Sequence, residues 1–470
     1  METSFCKTLA RVFVAVFFVF IFSQCSDEEI SPEIVPITSE SERESEQAIT
    51  APPAGPLSCS SCTYIVPKDA KTVNGKKLGI KPGDVICLNA AYAYGLITFE
   101  DIVGTPDNPV TVTNCDGDVT INTPGKSFSI RFNESKYFRF TGGDVDDSYG
   151  IKLTGSKSNG LVLGYLTTNF EVDHIEVFKV GFAGIMAKTD PTCDDATIRG
   201  KFVMRDVSFH HNYLHDTHGE GFYIGHSSYN GKETDCGMRL PHIIENVKVY
   251  KNIIRNSGWD GLQISSAPKG AEIYDNVIEN YGTKKNASQN SGICIGGGTG
   301  GYCYNNLIKK GTGSGISVFG IANNTVYNNI IVEAGKYGIF ADERTEPGSG
   351  YRFINNTIIE SKEQGMLLYT NEVPLNVVAN NIIVKTKASK ESHYVGRLGS
   401  TVKIKMSNNY FTKNIADVKF LNASAFNFRL AAASPAIDKG VDMSQYRVTK
   451  DFYYVSRSNG SAFDIGATEY

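Results

Sequence analysis

Residues 306–318 read NLIKKGTGSGISV, residues 329–341 read NIIVEAGKYGIFA and residues 356–368 read NTIIESKEQGMLL. Each segment begins with Asn, has an aliphatic residue two positions later and has Gly nine positions after the Asn. The same pattern, in some copies interrupted or incomplete, begins at four other positions: Asn212, Asn252, Asn276 and Asn381. The chain therefore contains an internal repeat, and repeats of this length are typical of stacked structural units.

Apolar residues recur at the second, tenth and twelfth positions after the Asn, as in Ile308, Ile316 and Val318. An outward-facing residue such as Ser317 lies between the last two, and this alternation predicts short strands. One unit cannot bury its own core, so successive copies must stack, with parallel strands about 4.8 Å apart. The Asn column suits a turn whose side-chain amide bonds to its counterpart in the next coil. The Gly column suits a backbone position that rejects a Cβ atom.

A solenoid of this kind resembles the right-handed parallel β-helix of the pectin-lyase-like superfold. Residues 81–88 (KPGDVICL) and 104–112 (GTPDNPVTV) look like the opening coils of such proteins, and residues 434–440 (SPAIDKG) and 464–470 (DIGATEY) resemble a tail of exported bacterial members. The resemblance implies an all-β fold, a right-handed parallel β-helix solenoid over 59–430 with a C-terminal capping segment over 431–470. We expect that segment to cover the last coil, whose strand edges would otherwise be unpaired. The fold says little about activity, because it hosts lyases, hydrolases, epimerases and adhesins.

The net negative charge of the chain comes from a segment that precedes the repeats. The 470 residues carry a net charge of -4, and residues 26–58 contain seven Glu, one Asp and one Arg. This segment is also rich in Pro, so we expect residues 25–58 to form a disordered tether. The repeat region is then close to neutral, and the sequence contains no basic tract of the kind that nucleic-acid binding needs. We therefore expect no nucleic-acid partner.

The amino terminus has the features of an export signal. Lys7 and Arg11 precede an apolar run over 12–22, which is too short to span a bilayer. The run ends at Cys25 in a segment that resembles a relaxed bacterial lipobox, and the following SDEE resembles the acidic tag of Bacteroidetes surface lipoproteins. This resemblance implies a signal peptide over 1–24, a lipid on Cys25 and a location on the extracellular face of the outer membrane or in the periplasm. The alternative is an ordinary signal peptide with a chance Cys.

Eight cysteines follow the tether, and an even number in an exported chain predicts disulfides. The two pairs that bracket loops, Cys193 with Cys236 and Cys294 with Cys303, are the pairs we predict. Cys59 and Cys62 form a CxxC motif, which could serve redox chemistry or a metal, although the export signal favours structural pairing. The full connectivity does not follow from the sequence.

Eight residues after the Asn, two adjacent copies carry carboxylates, Glu220 and Asp260. If both project from the same turn, stacking places their backbones about 5 Å apart, close to the carboxyl separation of retaining glycosidases. Mutual repulsion would raise the pKa of one of them and supply a general acid. The same pair could instead bind Ca2+.

Ionisable residues are dense around this pair, and the loops between these copies are the longest, as expected for the walls of a groove. His215 and Arg255 share the third position after the Asn, so they should stack and could neutralise a substrate carboxylate or supply the base of a uronate lyase. Trp259 offers a face for a sugar ring. The predicted catalytic residues are Glu220, Asp260, His215, His218 and Arg255, and the predicted substrate-binding residues are Trp259, Tyr223, Gln263 and His226. A zinc site among these histidines lacks a recognisable ligand spacing.

The sequence thus predicts a monomeric, surface-anchored, carbohydrate-active β-helix protein that cleaves an extracellular polysaccharide as a lyase or a glycoside hydrolase. The alternative is a non-catalytic glycan-binding or adhesive solenoid, in which the ionisable cluster is incidental. In another reading, the histidines cap turns, and Glu220 and Asp260 are solvated turn residues.

Overall fold

The computed structural model describes residues 57–143, 148–342 and 348–470. The predicted signal peptide 1–24, the lipidated Cys25 and nearly all of the tether 25–58 lie outside the described residues. Among the described residues, no helix combines the length and apolar character needed to cross a membrane.

Three long sheets of parallel strands form the walls of the solenoid. Sheet A contains Tyr64–Ile65, Val85–Asn89, Val110–Cys115, Lys136–Thr141, Thr168–Asp173, Val203–His210, Ile243–Tyr250, Ala271–Tyr274, Gly301–Tyr304, Thr325–Tyr327, Arg352–Ile354, Asn376–Ala379 and Ile404–Ser407. Sheet B contains Thr72–Asn74, Ile97–Glu100, Phe128–Asn133, Asn159–Leu163, Ile185–Ala187, Phe222–Ile224, Leu262–Ile264, Ile293–Ile295, Ile316–Val318, Ile339–Asp342, Met366–Tyr369 and Val395–Arg397. Sheet C contains Val119–Asn122, Ile151–Thr154, Ile175–Phe178, Tyr213–His215, Ile253–Arg255, Val277–Glu279, Leu307–Gly311, Ile330–Ala334, Thr357–Ile359, Ile382–Val384 and Tyr410–Thr412.

The remaining elements are short. Two antiparallel hairpins pair Lys232–Thr234 with Gly237–Arg239, and Phe420–Asn422 with Asn427–Leu430. The helical segments are the α-helix Gly75–Leu78 and the 3-10 helices Cys59–Ser61, Asp195–Thr197, Glu391–His393, Ile415–Asp417, Ala423–Ala425 and Ser444–Tyr446.

From Val110–Cys115 to Val395–Arg397 each coil visits sheets A, C and B in turn, and its strands pair with the equivalent strands of the next coil. Tyr213–His215 pairs with Ile253–Arg255 in sheet C, for example, and Phe222–Ile224 pairs with Leu262–Ile264 in sheet B. Alternate residues point inward, and the side chains of Phe222 and Ile224 are fully buried. The predicted parallel β-helix is confirmed, because the periodic apolar positions form one continuous core along the solenoid.

A ladder of asparagines lines the corner between sheets A and C. The Nδ2 of each Asn donates to the Oδ1 of the next over 2.9–3.1 Å, from Asn212 through Asn252, Asn276, Asn306, Asn329, Asn356 and Asn381 to Asn409. The residue before each Asn has a left-handed backbone, with φ between 49° and 57°. We call these positions the corner column: His211, Lys251, Asp275, Asn305, Asn328, Asn355, Asn380 and Asn408. The predicted role of the Asn column as a hydrogen-bonded turn is confirmed.

Replacing one ladder residue should destabilise the solenoid without changing its sheets. The Oδ1 of Asn306 accepts from the backbone N–H of Asn276, and its Nδ2 donates to the carbonyl of Ile273. We expect Asn306→Ala to lower the free energy of unfolding by about 2 kcal/mol, because these buried groups lose their partners. Chemical denaturation measures the change, with exposed Asn323→Ala as the control; equal stability of both variants would contradict the structural role of the ladder.

The Gly column also has its predicted reason. A Cβ atom on Gly315 would lie 2.5 Å from Cγ2 of Ile331 and 2.7 Å from the carbonyl oxygen of Gly338. The strands of sheets B and C can therefore approach only where this residue lacks a side chain.

The C-terminal segment lies along the flank of the solenoid. Phe452, Ile465 and Ala467 pack on outward-facing sheet C residues such as Ile359 and Ile382. Met443, Val448 and Phe463 pack on sheet A residues that include Ile354 and Ala379. The C-terminal segment therefore does not cover only the last coil, as the sequence predicted. It covers the outward faces of several coils, because the strands there are apolar on both sides.

Three disulfides join Cys59 to Cys115, Cys62 to Cys87 and Cys193 to Cys236. The predicted pair Cys193–Cys236 is confirmed, and the CxxC motif has a structural role. The predicted pair of Cys294 with Cys303 is wrong, and both remain thiols. Cys303 lies on sheet A and points into the core, whereas Cys294 lies on sheet B and lines a cavity outside it, so the two side chains belong to different walls and face different environments.

Candidate functional site

A groove runs along the outer face of sheet B, where the loops on both sides of the sheet are longest. It contains a cavity of about 460 Å3. Most of its lining residues have polar side chains, and the lining comes from residues 227–231, Asp260, Gln263, Ser265, Ser288, Gln289, Cys294, Gly296, Gly297 and Phe319. The loop after Phe222–Ile224 forms one wall, and the insertion that follows Val277–Glu279 forms the other. The predicted groove thus exists on the coils that carry the insertions.

Glu220 and Asp260 occupy equivalent positions on adjacent coils, just before their sheet B strands. The backbone N–H of Gly221 donates to the carbonyl of Asp260 over 3.1 Å, which fixes this register. The side chains are buried, with 0% and 1% of Glu220 and Asp260 exposed, and Asp260 lines the cavity. The reading of both residues as solvated turn residues is therefore wrong, because the longer loops cover this turn.

One short segment of the insertion holds both carboxyl groups. The Nε2 of Gln289 donates to Oε1 of Glu220 over 2.8 Å, and the backbone N–H of Ser291 donates to Oδ1 of Asp260 over 2.6 Å. The Oε2 of Glu220 is buried and has no hydrogen-bond partner among the residues that the structure describes. A buried oxygen without a donor is costly for an ionised carboxylate, which favours the neutral acid.

The electrostatics of the pair agree with this geometry. Burial raises the pKa of Glu220 to about 7. Burial also raises the pKa of Asp260 to about 8; the N–H of Ser291 opposes this change, and the negative charge of Glu220 adds to it. The predicted repulsion between the carboxylates is present, but loss of water is the larger cause. At neutral pH the pair retains a proton that it can donate.

Two of the predicted substrate-binding residues lie at this groove. Gln263 lines the cavity, and its Nε2 donates to Oγ of Ser227 over 3.0 Å. The hydroxyl of Tyr223, on the previous coil, lies 3.0 Å from the same Ser227 oxygen. Both side chains point outward from sheet B, because they occupy the middle of their strands. Together they offer neutral hydrogen-bonding groups to a ligand.

His226 has a different role from the predicted one. Its Nδ1 accepts from the backbone N–H of Ser228 over 3.0 Å, and its Nε2 lies 3.4 Å from Oδ1 of Asp190. The side chain is only 5% exposed. It therefore shapes the loop that forms one wall of the groove.

His215 and Arg255 pair as expected, but in sheet C, away from the groove. The Nε2 of His215 lies 3.0 Å from Oε1 of Glu176, and its Nδ1 lies 2.8 Å from Oδ2 of Asp216. Burial lowers the pKa of His215, but the carboxylates of Glu176 and Asp216 raise it by more, so the pKa is raised overall. Arg255 lies 3.6 Å from Glu279. The structure does not bring them to the carboxyl pair, because the third position after the Asn belongs to a different wall.

His218 and Trp259 lie on the turn between sheets C and B. His218 is exposed, and its backbone N–H donates to the carbonyl of Val180. The Trp259 ring is partly exposed and packs edge-on against Phe182 at 5.5 Å, and Phe182 also contacts Tyr223. Trp259 is not among the residues that line the cavity. Its only ring contact toward the groove therefore runs through Phe182 to Tyr223, within the described residues.

Sequence reasoning missed Gln289, a cavity-lining residue whose side chain donates to the buried Glu220. Glu220 precedes it by 69 residues, so no spacing rule connects the two. The insertion after Asn276 was the available signal.

A metal ion fits the carboxyl pair poorly. N–H donors from Gln289 and Ser291 already occupy one oxygen of each carboxyl, whereas Ca2+ requires six to eight oxygen ligands. The predicted Ca2+ stays a prediction, and no chemical step is derived through it. A second group, Glu171, Asp173 and His210, has ligand atoms within 4.8 Å of one another on sheet A. The guanidinium of Arg139 fills the space between the two carboxylates, with its Nε 3.0 Å from Glu171 and 2.8 Å from Asp173.

Three parallel sheets around one core, with an Asn ladder at one corner, define a parallel β-helix. The family described as "Right handed beta helix region" matches residues 243–411. The chain is a right-handed parallel β-helix protein, as the sequence resemblance implied.

No curated protein matches the sequence. Among solved structures, the chain is similar to pectate lyase Pel9A, with a TM-score of 0.46 and 15% identity over 87% of this chain and 97% of that chain. It is also similar to an alginate lyase from Paenibacillus sp. str. FPU-7, with a TM-score of 0.44 and 16% identity over 66% of this chain and 99% of that one. A GH136 lacto-N-biosidase from Eubacterium ramulus has a TM-score of 0.39 and 11% identity, over 71% of this chain and 62% of that one.

Proposed function

We propose that the sheet B groove binds an uncharged polysaccharide and hydrolyses its glycosidic bonds. The observation that carries this proposal is the buried carboxyl pair of Glu220 and Asp260, which retains a proton beside a cavity that Asp260 lines. Hydrolysis of a glycoside requires one carboxylic acid and one carboxylate. Environments that raise both pKa values toward neutrality supply this combination.

Asp260 is the acid in this scheme, because its side chain reaches the cavity and its pKa is the higher of the two. It donates its proton to the glycosidic oxygen as the bond to the sugar breaks. Glu220 lies one coil away and directly behind Gln289, so a sugar that displaces the Gln289 amide meets its carboxylate. Coils stack about 4.8 Å apart, which supports a retaining reaction through a glycosyl ester on Glu220 that water then hydrolyses.

The lining supports an uncharged substrate. Gln263, Gln289 and Ser227 present amides and a hydroxyl, which match sugar hydroxyls. The basic pair His215 and Arg255, which a uronate lyase would need, is neutralised by carboxylates on sheet C. These contacts favour a hydrolase over a lyase.

The location of the protein is part of the same proposal. A lipid on Cys25 and the tether over 25–58 would hold the solenoid at the extracellular face of the outer membrane, where polysaccharides are accessible. Three disulfides support an oxidising compartment.

A screen of neutral and uronate-containing glycans tests the activity. We expect new reducing ends from a neutral glycan, without unsaturated sugars and without sensitivity to chelators. Unsaturated products would replace the hydrolase by a lyase. Binding without any product would favour the glycan-binding solenoid, a role that the burial of both carboxyl groups also allows.

A further inference from the structure

Three aromatic side chains lie together on the outer face of sheet B. The ring of Phe340 stacks on that of Tyr337 with centroids 5.4 Å apart, and it meets the ring of Phe319 at 5.9 Å in an edge-to-face contact. All three side chains are partly exposed. We call these three residues the aromatic cluster.

The register of the coils spreads the cluster across the width of sheet B. Phe340 lies between the fully buried Ile339 and Ala341, so it faces outward, and it pairs with Ser317 of the previous coil. Phe319 follows Ser317 by two residues and therefore points to the same side.

Tyr337 lies before its sheet B strand, in the column of the carboxyl pair. The backbone N–H of Gly261 donates to the carbonyl of Ser291, that of Gly292 to Ser314, and that of Gly315 to Tyr337. These bonds place Tyr337 three coils beyond Asp260. The cluster and the carboxyl pair thus lie on the same wall, at different heights along the solenoid.

The aromatic cluster is continuous with the groove. Phe319 lines the cavity together with Gln263, and Phe340 lies against Phe319. Gln263, Cys294, Ser317 and Phe340 follow one another as paired residues in the middle of adjacent sheet B strands. The floor of the groove therefore changes from polar to aromatic along the solenoid axis.

The packing of the core does not explain why these rings face outward. On sheets A and C, outward apolar residues are covered by the C-terminal segment, for example by Phe463 and Phe452. In the described parts of the chain, no member of the aromatic cluster belongs to a buried apolar cluster. Rings that stay partly exposed beside a cavity are suited to a ligand.

Tyr337 is held in place by its neighbours. Burial and a hydrogen bond with Glu363 raise the pKa of the Tyr337 hydroxyl, and Nζ of Lys336 lies 5.2 Å from the centroid of its ring. Because Tyr337 is fixed, Phe340, which stacks on it, has a defined position as well.

We propose that the aromatic cluster is a second sugar subsite of the groove, on which an uncharged pyranose ring packs with its C–H face. This inference rests on the proposed glycan ligand of the groove. Aromatic rings bury a large apolar area at a small entropic cost, and the hydroxyls at the rim of a sugar remain free to bond to polar neighbours. A charged sugar would lose more hydration on such a surface.

The distance between the two subsites determines the length of the ligand. Three coil spacings of about 4.8 Å separate the backbones of Asp260 and Tyr337, about 14 Å in all. A single sugar ring cannot reach both, so a ligand that occupies the cavity and the aromatic cluster is an oligosaccharide or a longer chain. The groove should therefore bind long chains more tightly than short ones.

Calorimetric titration with laminarin, galactomannan, xyloglucan and arabinoxylan tests the subsite, and the hexasaccharide and disaccharide of each bound polymer serve as shorter probes. The full chain carries Asp260→Asn in every titration, so that hydrolysis does not consume the probe. We expect Phe340→Ala to weaken binding of a polysaccharide and its hexasaccharide at least about fivefold, because one contact between a ring and a sugar is lost. The loss should be smaller for the disaccharide.

Two further variants serve as controls. Phe340→Tyr keeps the ring and should retain the affinity, and Phe178→Ala removes a partly exposed ring on sheet C and should not weaken binding. Melting temperatures check that all variants fold.

Four results would overturn the subsite: no binding of any of the four polysaccharides, equal affinities with and without Phe340→Ala, an equal loss for disaccharide and hexasaccharide, or an equal loss in Phe178→Ala. Binding that Phe340→Ala weakens, in a parent that releases no product from the same glycan, would support the subsite and contradict only the hydrolase proposal.

Discussion

Asp260→Asn is expected to lower the rate of glycan hydrolysis at least about 100-fold, because the amide cannot donate the proton that the leaving oxygen needs. The substitution is nearly isosteric and keeps an oxygen to accept from the N–H of Ser291. Binding of the glycan should persist, so the loss should fall on kcat more than on KM. Initial rates on the glycan identified by the screen measure the effect.

The pH dependence gives the same prediction a second measurement. Asp260 must be protonated, so activity should fall as the pH rises through about 8, the pKa to which burial raises this group. Glu220 must be ionised, so activity should fall as the pH drops through about 7, where burial places its pKa. The result is a narrow maximum between these values.

A matched variant separates the groove from the rest of the coil. Asp216 is exposed and bonds to His215 on sheet C, so Asp216→Asn should leave the rate within a factor of two of the parent. Equal rates for the parent and Asp260→Asn would contradict the proposal that Asp260 is the general acid, and its carboxyl group would then have a structural role only.

Arg457→Ala is expected to detach the C-terminal segment, at a cost of about 3–5 kcal/mol. The guanidinium is fully buried and lies 3.1 Å from Oε2 of Glu469. It also donates to the side chain of Asn328 on the solenoid and to the carbonyl of Gly466 in the segment. Removing it leaves a buried carboxyl group and several acceptors without a donor.

Hydrogen exchange of the C-terminal segment measures this loss, because the amides of residues 451–470 should exchange faster while those of the core coils stay protected. Arg429→Ala is the control, since that arginine is exposed and packs over the ring of Tyr453. The double variant Arg457→Met with Glu469→Met should be less destabilised than Arg457→Ala, because it removes both charges. A double variant that is no more stable than Arg457→Ala would show that the ion pair does not hold the segment.

The fold could be predicted from the sequence because the interactions that stabilise it repeat once in every coil. Asn306, Gly315 and the apolar positions around them repeat at the spacing of one coil, and each interaction joins a residue to its equivalent in the next coil. The adjacency of Glu220 and Asp260, and of His215 and Arg255, follows from the same register. The predicted Cys294–Cys303 pair was wrong because spacing does not report which wall a residue belongs to or which side of that wall its side chain faces.

The sequence by itself determined which residues of neighbouring coils stack on one another along the solenoid axis. It could do so because each coil pairs in parallel with the next one and the same pairing repeats. Only the tertiary structure decided how positions around one coil are distributed among three walls. It separated His215 and Arg255 from the carboxyl pair, and it brought Gln289 against Glu220. It also joined Arg457 to Asn328 across 129 residues of sequence. Burial, and with it the raised pKa values of Glu220 and Asp260, depends on such long-range coverage by loops, which no repeat encodes.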